Sequence, residues 1–138
     1  PTASESETRA RHGAPTPLDE LYPLTHGERI TELIDVGGSV YVADVVKDYL
    51  VNIVAATRSH DAVRLGASPR ASLHLIRTAR AKAALAGRDY VIPDDVQAMA
   101  IPVLAHRLLP STRAQLDGIS PVDIVSQILT STPVPEQA

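Results

Sequence analysis

The 138-residue sequence has no cysteine, no phenylalanine and no tryptophan, and only four tyrosines and one methionine. Without cysteine there are no disulfides, no thiolate nucleophile and no cysteine-ligated zinc. Without the large aromatics, the core has to be aliphatic. No apolar run approaches the length of a membrane span, and the N-terminal stretch lacks a signal-peptide apolar segment. A cytoplasmic setting is therefore expected. An excess of positive charge is also missing. Thirteen Lys and Arg stand against sixteen Asp and Glu, and a net charge of -3 argues against a nucleic-acid binder. The histidines show no paired metal-ligand spacing, so no metal site is expected. There is no phosphate-cradling GxxxxGK[ST] loop and no GxSxG element. The chain alone carries no visible catalytic machinery.

What is present is a foldable mixture: 44% of the residues are apolar and 21% charged, enough for one domain with a core. The first residue is Pro1 rather than Met, which predicts a piece of a longer protein. Residues 1–24 are polar and proline-bearing and read as a linker. Residues 25–132 read as the domain, and 133–138 as a tail.

Helical periodicity dominates the middle, and five helices are expected in an all-α bundle, with at most one short strand at "DYVI". The first opens with Thr25 and Glu28 at capping-box spacing, runs through Ile30, Leu33 and Ile34, and is predicted to end at Gly37 and Gly38. "VYV" follows as an extended link. In the second, from Asp44 to Arg58, Val46, Tyr49, Leu50 and Ile53 share one face and Asp44, Lys47 and Asp48 lie opposite. Pro69 to Ala86 forms the third, with Gly87 closing it and Leu75, Ile76, Ala79, Ala83 and Ala86 on its packing face. The fourth starts at Pro93 and is predicted to kink or break at Pro102 and to end near Leu109. The fifth starts at Ser120 and Pro121, with Asp123 at its third position and Ile124, Val125, Ile128 and Leu129 facing the core.

One residue is at odds with this pattern. "GASPRA" places Ser68 as N-cap, Pro69 as first helical residue and Arg70 inside the first turn. The dipole and unpaired N–H groups at that end favour negative charge, by roughly 0.3 to 1 kcal/mol at an exposed site. The other four predicted helices follow the rule, with Glu28, Asp44, Asp94 and Asp95, and Asp123 near their starts. Only the third begins with a cation. Arg70, His74 and Arg77 fall at i, i+4 and i+7 and form a basic stripe opposite the alanine face. Spacing alone leaves two readings of Arg70: a surface ion pair, the commoner situation for such an arginine, or a contact to an anion such as phosphate. Arg77, Arg80 and Lys82 fit a solvated face. Asp94 and Asp95 point about 100° apart and fit dipole stabilisers better than a catalytic pair.

"LGASPRASLHLIRTARAKAALAGRDYVIPDDVQAMAIPVLAHRL", preceded by "VVKDYLVNIVAATRSHD", resembles the C-terminal lid subdomain of MoxR-family AAA+ ATPases. The shared features are the "ATR" ending one helix, "GASPRA", the "GRDYV-PDDV" run and "LAHR", in register over about residues 40–109. Magnesium-chelatase and MCM-type lids have a related arrangement. The resemblance implies a helical lid that closes over ATP and Mg2+ held by an ATPase core lying upstream, with residues 1–24 as the link from that core. Arg70 then corresponds to the sensor 2 arginine, which reaches the γ-phosphate, with Ser68, His74 and Arg77 beside it. It further implies a hexameric ring, ATP hydrolysis coupled to chaperone-like remodelling or maturation of partner proteins, and an association with a von Willebrand factor A-domain protein. The chain alone is expected to be inactive. The alternative is a stand-alone helical interaction module whose basic stripe meets an acidic partner.

Overall fold

A computed structural model describes residues 21–135. The parts of the predicted linker and tail at 1–20 and 136–138 lie outside the described residues. The chain divides into two units, residues 1–32 and 33–138. Helix α1, Gly27–Ser39, crosses the division and buries none of its residues. It starts at Gly27, with Ile30 N–H closing on the His26 carbonyl, so Thr25 is not its cap. It also runs through Gly37 and Gly38 instead of ending there. Neither glycine has a positive φ, and the helix stops only at Ser39, whose hydroxyl donates to the Val36 carbonyl. A Cβ at either glycine meets open space. Replacing both with alanine is therefore expected to strengthen α1 by about 1 kcal/mol per site. Slower amide exchange within α1 checks this, and unchanged exchange would count against it.

The second unit is built on α2 (Asp44–Ser59), α3 (Arg70–Leu85), α4 (Pro93–Leu104) and α6 (Pro121–Ser131), with a five-residue helix α5 (Thr112–Leu116) before the last. On α2, Val46, Tyr49, Leu50 and Ile53 are buried and Asp44, Lys47 and Asp48 exposed, as the periodicity predicts. On α3, Leu75, Ala79 and Ala83 are fully buried, and α4 packs against this small-residue face more extensively than any other pair of helices. Ala86 does not join it. It is the exposed C-cap residue. Helix α6 buries Ile124, Val125 and Ile128. Its Ser120 hydroxyl accepts from the Asp123 N–H, and the Asp123 carboxylate accepts from the Ser120 N–H. The Ser120 hydroxyl also donates to that carboxylate at 2.6 Å, and this bond with the one from the Ser120 N–H holds the Asp123 carboxyl below its ordinary pKa.

Three differences from the expected bundle concern loops. Helix α4 passes through Pro102 without breaking and ends at Leu104, followed by a 3-10 turn at Ala105–Arg107. Leu109 and Pro110 are not helical. They form strand β2 (Leu109–Pro110), antiparallel to β1 (Val63–Leu65), with a register shift between Val63 and Leu65. "DYVI" forms a single parallel bridge, Tyr41 to Tyr90, in which Tyr41 N–H donates to the Asp89 carbonyl and Val91 N–H to that of Tyr41. The fold is an all-α bundle with one small two-stranded sheet, and no described helix is long and apolar enough to cross a membrane.

Candidate functional site

The start of α3 differs in detail from the predicted cap. Pro69 occupies the N-cap position with helical dihedrals, and Arg70 is the first helical residue. The Ala71 N–H closes on the Ser68 carbonyl at 2.8 Å and the Ser72 N–H on that of Pro69 at 3.1 Å. This tight backbone turn takes up the Ala71 donor that a Ser68 cap would use, and the residue at the N-cap, Pro69, makes no side-chain cap bond. Ser68 and Arg70 are both exposed. Among the described residues Arg70 has no carboxylate partner, so the surface ion pair is not formed there. His74 and Arg77 are exposed on the same helix, at the expected one- and two-turn spacing from Arg70. Arg80 departs from the solvated face: it is partly buried, and its Nε lacks a hydrogen-bond partner among the described residues. The short α5 also carries a cation near its start, Arg113 at its second position, beside Asp117 at 3.7 Å.

The loop leading to Arg70 is held from several sides. His60 Nδ1 accepts from the Ala62 N–H at 3.2 Å, the Ala62 carbonyl accepts from the Ser111 N–H at 2.8 Å, and Ala67 is fully buried. The far end of α3 is held as firmly. Gly87 adopts φ +72°, and the Gly87 and Arg88 N–H groups donate to the Ala84 and Ala83 carbonyls. This is the left-handed closure that glycine permits. It delivers Arg88 to Asp95 in a two-pronged pair, both bonds 2.7 Å, while the Ile92 N–H donates to the same carboxylate at 3.0 Å. Asp94 stays exposed and Asp95 is buried, so the two acids have different roles. Burial pushes the Asp95 carboxyl up. The hydrogen bonds from Arg88 and Ile92, with the charges of Arg88 and Lys82, outweigh it and hold the pKa below its ordinary value.

Two shallow hollows lie elsewhere. One of about 420 Å³ is lined by Thr78, Ala81, Lys82, Leu85, Ala86 and Met99, and one of about 450 Å³ includes Asp61, Ser111 and Arg113. Neither is lined by Arg70. Among the described residues, the start of α3 thus combines a helix end without a side-chain cap, an approach loop held by hydrogen bonds, and an exposed arginine without a carboxylate partner.

Residues 55–128 match the family described as AAA lid domain, and the chain belongs to that family. Its relatives include MoxR-family proteins, consistent with the lid region of a MoxR AAA+ ATPase. It is 36% identical over 130 residues to "Chaperone MoxR1" of Mycobacterium tuberculosis, covering 88% of this chain and 34% of that protein. It is 40% identical over 121 residues to "Uncharacterized protein YeaC" of Bacillus subtilis, covering 88% of this chain and 38% of that one. The solved structure of "a putative ATPase" of Cytophaga hutchinsonii matches 99% of this chain and 44% of its own, with TM-score 0.78 and 26% identity. The chain thus spans little more than a third of the length of these curated relatives.

Proposed function

We propose that this chain is the lid of a nucleotide-hydrolysing AAA+ machine, closing over Mg-ATP bound by an ATPase core on the same polypeptide, and that Arg70 is its sensor 2 arginine. The observation that carries this reading is the exposed Arg70 at the first position of α3, unneutralised among the described residues and at the helix end where a cation is least favoured. A planar guanidinium forks onto phosphoryl oxygens and stabilises charge as it develops there. Ser68 flanks it, and His74 and Arg77 extend the cationic stripe toward the same core or a neighbouring subunit. Carried on a rigid helix of a separate unit, the arginine couples nucleotide state to lid angle. The wider reading is a homo-oligomeric ring, hexameric, in which hydrolysis drives chaperone-like remodelling or maturation of partner proteins, a von Willebrand factor A-domain protein among them. Its setting is the cytoplasm.

The test is steady-state Mg-ATP turnover of the full-length protein with and without residues 33–135. Loss of turnover on deletion is expected, and full turnover by the truncated protein would overturn the reading. The 138-residue chain by itself is expected to neither hydrolyse ATP nor bind it tightly, because the phosphate-cradling loop is not in its sequence. Calorimetry showing sub-micromolar binding would contradict this. An interaction module without a nucleotide role predicts turnover independent of these residues.

A further inference from the structure

We propose that Thr57 and Arg58 are positioning residues for Arg70: consecutive side chains on the last turn of α2 grip both peptide groups of Ala67 and so fix where α3 starts. The inference rests on the sensor reading of Arg70. The Thr57 Oγ1 accepts from the Ala67 N–H at 3.0 Å, and Arg58 Nη1 donates to the Ala67 carbonyl at 3.1 Å. Thr57 is fully buried, and its own hydroxyl proton goes to the Val54 carbonyl at 2.6 Å, which leaves a lone pair aimed at the loop. The backbone seals the same contact. A Cβ on Gly66 would lie 2.6 Å from the Thr57 carbonyl oxygen and 2.8 Å from the Arg58 Cα, so only glycine lets the loop lie this close to α2.

The turn of α2 that does this is among the most firmly held parts of the molecule, with Ile53 fully buried and Val54 nearly so. From Ala67 the path to Arg70 is two residues long. It passes Pro69, whose ring restricts φ, and the Ser68 carbonyl that receives the Ala71 N–H. Ala71 is itself buried. The Arg70 Cα is thereby set by contacts on both sides of it, while its own side chain and the Ser68 hydroxyl are left unengaged among the described residues. A helix start needing only stability would be served by a Ser68 cap. Here the loop is held from behind instead, and the face of α3 that meets a ligand is kept clear. Placement of this kind matters because a displacement near 1 Å at a transition-state contact costs about 100-fold in rate.

The test uses the full-length protein and Mg-ATP, with each variant made in the wild-type and Arg70→Ala backgrounds. Thr57→Val keeps the shape and removes both hydrogen bonds. It is expected to lower kcat by about tenfold with KM within about twofold, because the contact is made chiefly in the transition state. Thr57→Ser, which keeps the hydroxyl, is expected to restore turnover. In the Arg70→Ala background Thr57→Val is expected to change turnover by less than about twofold, since nothing is left to position. Should Thr57→Val fail to fold, Arg58→Ala, which removes only the exposed donor, carries the same cycle with an expected loss of about threefold to tenfold. Wild-type kcat in these variants, while Arg70→Ala is impaired, would overturn the positioning role and leave the sensor reading intact. An equal loss in both backgrounds would overturn it too, by showing a general structural effect. Unimpaired Arg70→Ala would overturn the sensor reading, and the positioning role with it.

Discussion

In the full-length protein, Arg70→Ala is expected to lower Mg-ATP turnover by about one to three orders of magnitude while leaving the lid folded. The size follows from what a single preorganised donor contributes at a developing charge, about 100- to 1,000-fold, and an arginine at a phosphoryl group reaches or exceeds that range. Stability should move the other way, if at all. Arg70 is exposed, is unpaired among the described residues, and lies at the helix end that repels cations, so its loss removes an unfavourable interaction. Few surface substitutions combine a large kinetic loss with an unchanged or raised melting temperature, and the combination separates a functional arginine from a structural one. Arg70→Lys keeps the charge but not the planar fork and should fall between wild type and alanine. The control is Arg113→Ala, which removes a cation near the start of another helix, α5, and is expected to leave turnover alone. Wild-type turnover in Arg70→Ala would leave a helical bundle whose basic stripe serves binding rather than hydrolysis.

The parts of this fold that were legible in the sequence are those decided by neighbours along the chain. The buried face of α2 and the start of α6 at Ser120, with Asp123 at its third position, are set by residues three or four apart, and both are found as read. Gly87 was legible for the same reason, because left-handed closure of a helix is a local event. Gly37 and Gly38 resemble it in composition, yet their φ is not positive and α1 passes through them. Composition shows that a glycine can turn, not that it does. The β1–β2 pairing joins segments far apart in sequence, too short to show alternation, and a helical reading of Leu109 covered one of them. Helix α5 is a single turn, marked only by its Ser111 cap, whose hydroxyl accepts from the Ala114 N–H. At the site, the anomaly of Arg70 was visible from the charges at the other helix starts. What holds it was not. Thr57 and Arg58 stood out only as part of an "ATR" string, because their bonds to Ala67 depend on the path of a loop that no periodicity specifies.

Asp95→Ala should destabilise the chain by about 2–3 kcal/mol at pH 7, the combined loss of a helix cap and charge-assisted hydrogen bonds. For a domain of this size that lowers the melting temperature by about 10–20 °C. The carboxylate is buried, takes both prongs of Arg88 and caps α4 through the Ile92 N–H. It thereby ties the end of α3 to the start of α4, the two helices that pack most extensively. The pH dependence has a definite sign. The folded carboxyl has its pKa below the ordinary value near 4, so between the two values the unfolded chain binds more protons than the folded one. The contribution is then complete above the ordinary value and is lost as pH falls through the lowered one. The gap in urea midpoint between wild type and Asp95→Ala should accordingly be widest at neutral pH and narrow in acid. Equal midpoints at pH 7 would mean that the cost of burying the carboxylate cancels its bonds, as it does for some buried ion pairs. The junction between α3 and α4 would then owe its rigidity to the alanine face alone, and Arg70, at the opposite end of the same helix, would depend on packing and on its loop for its place.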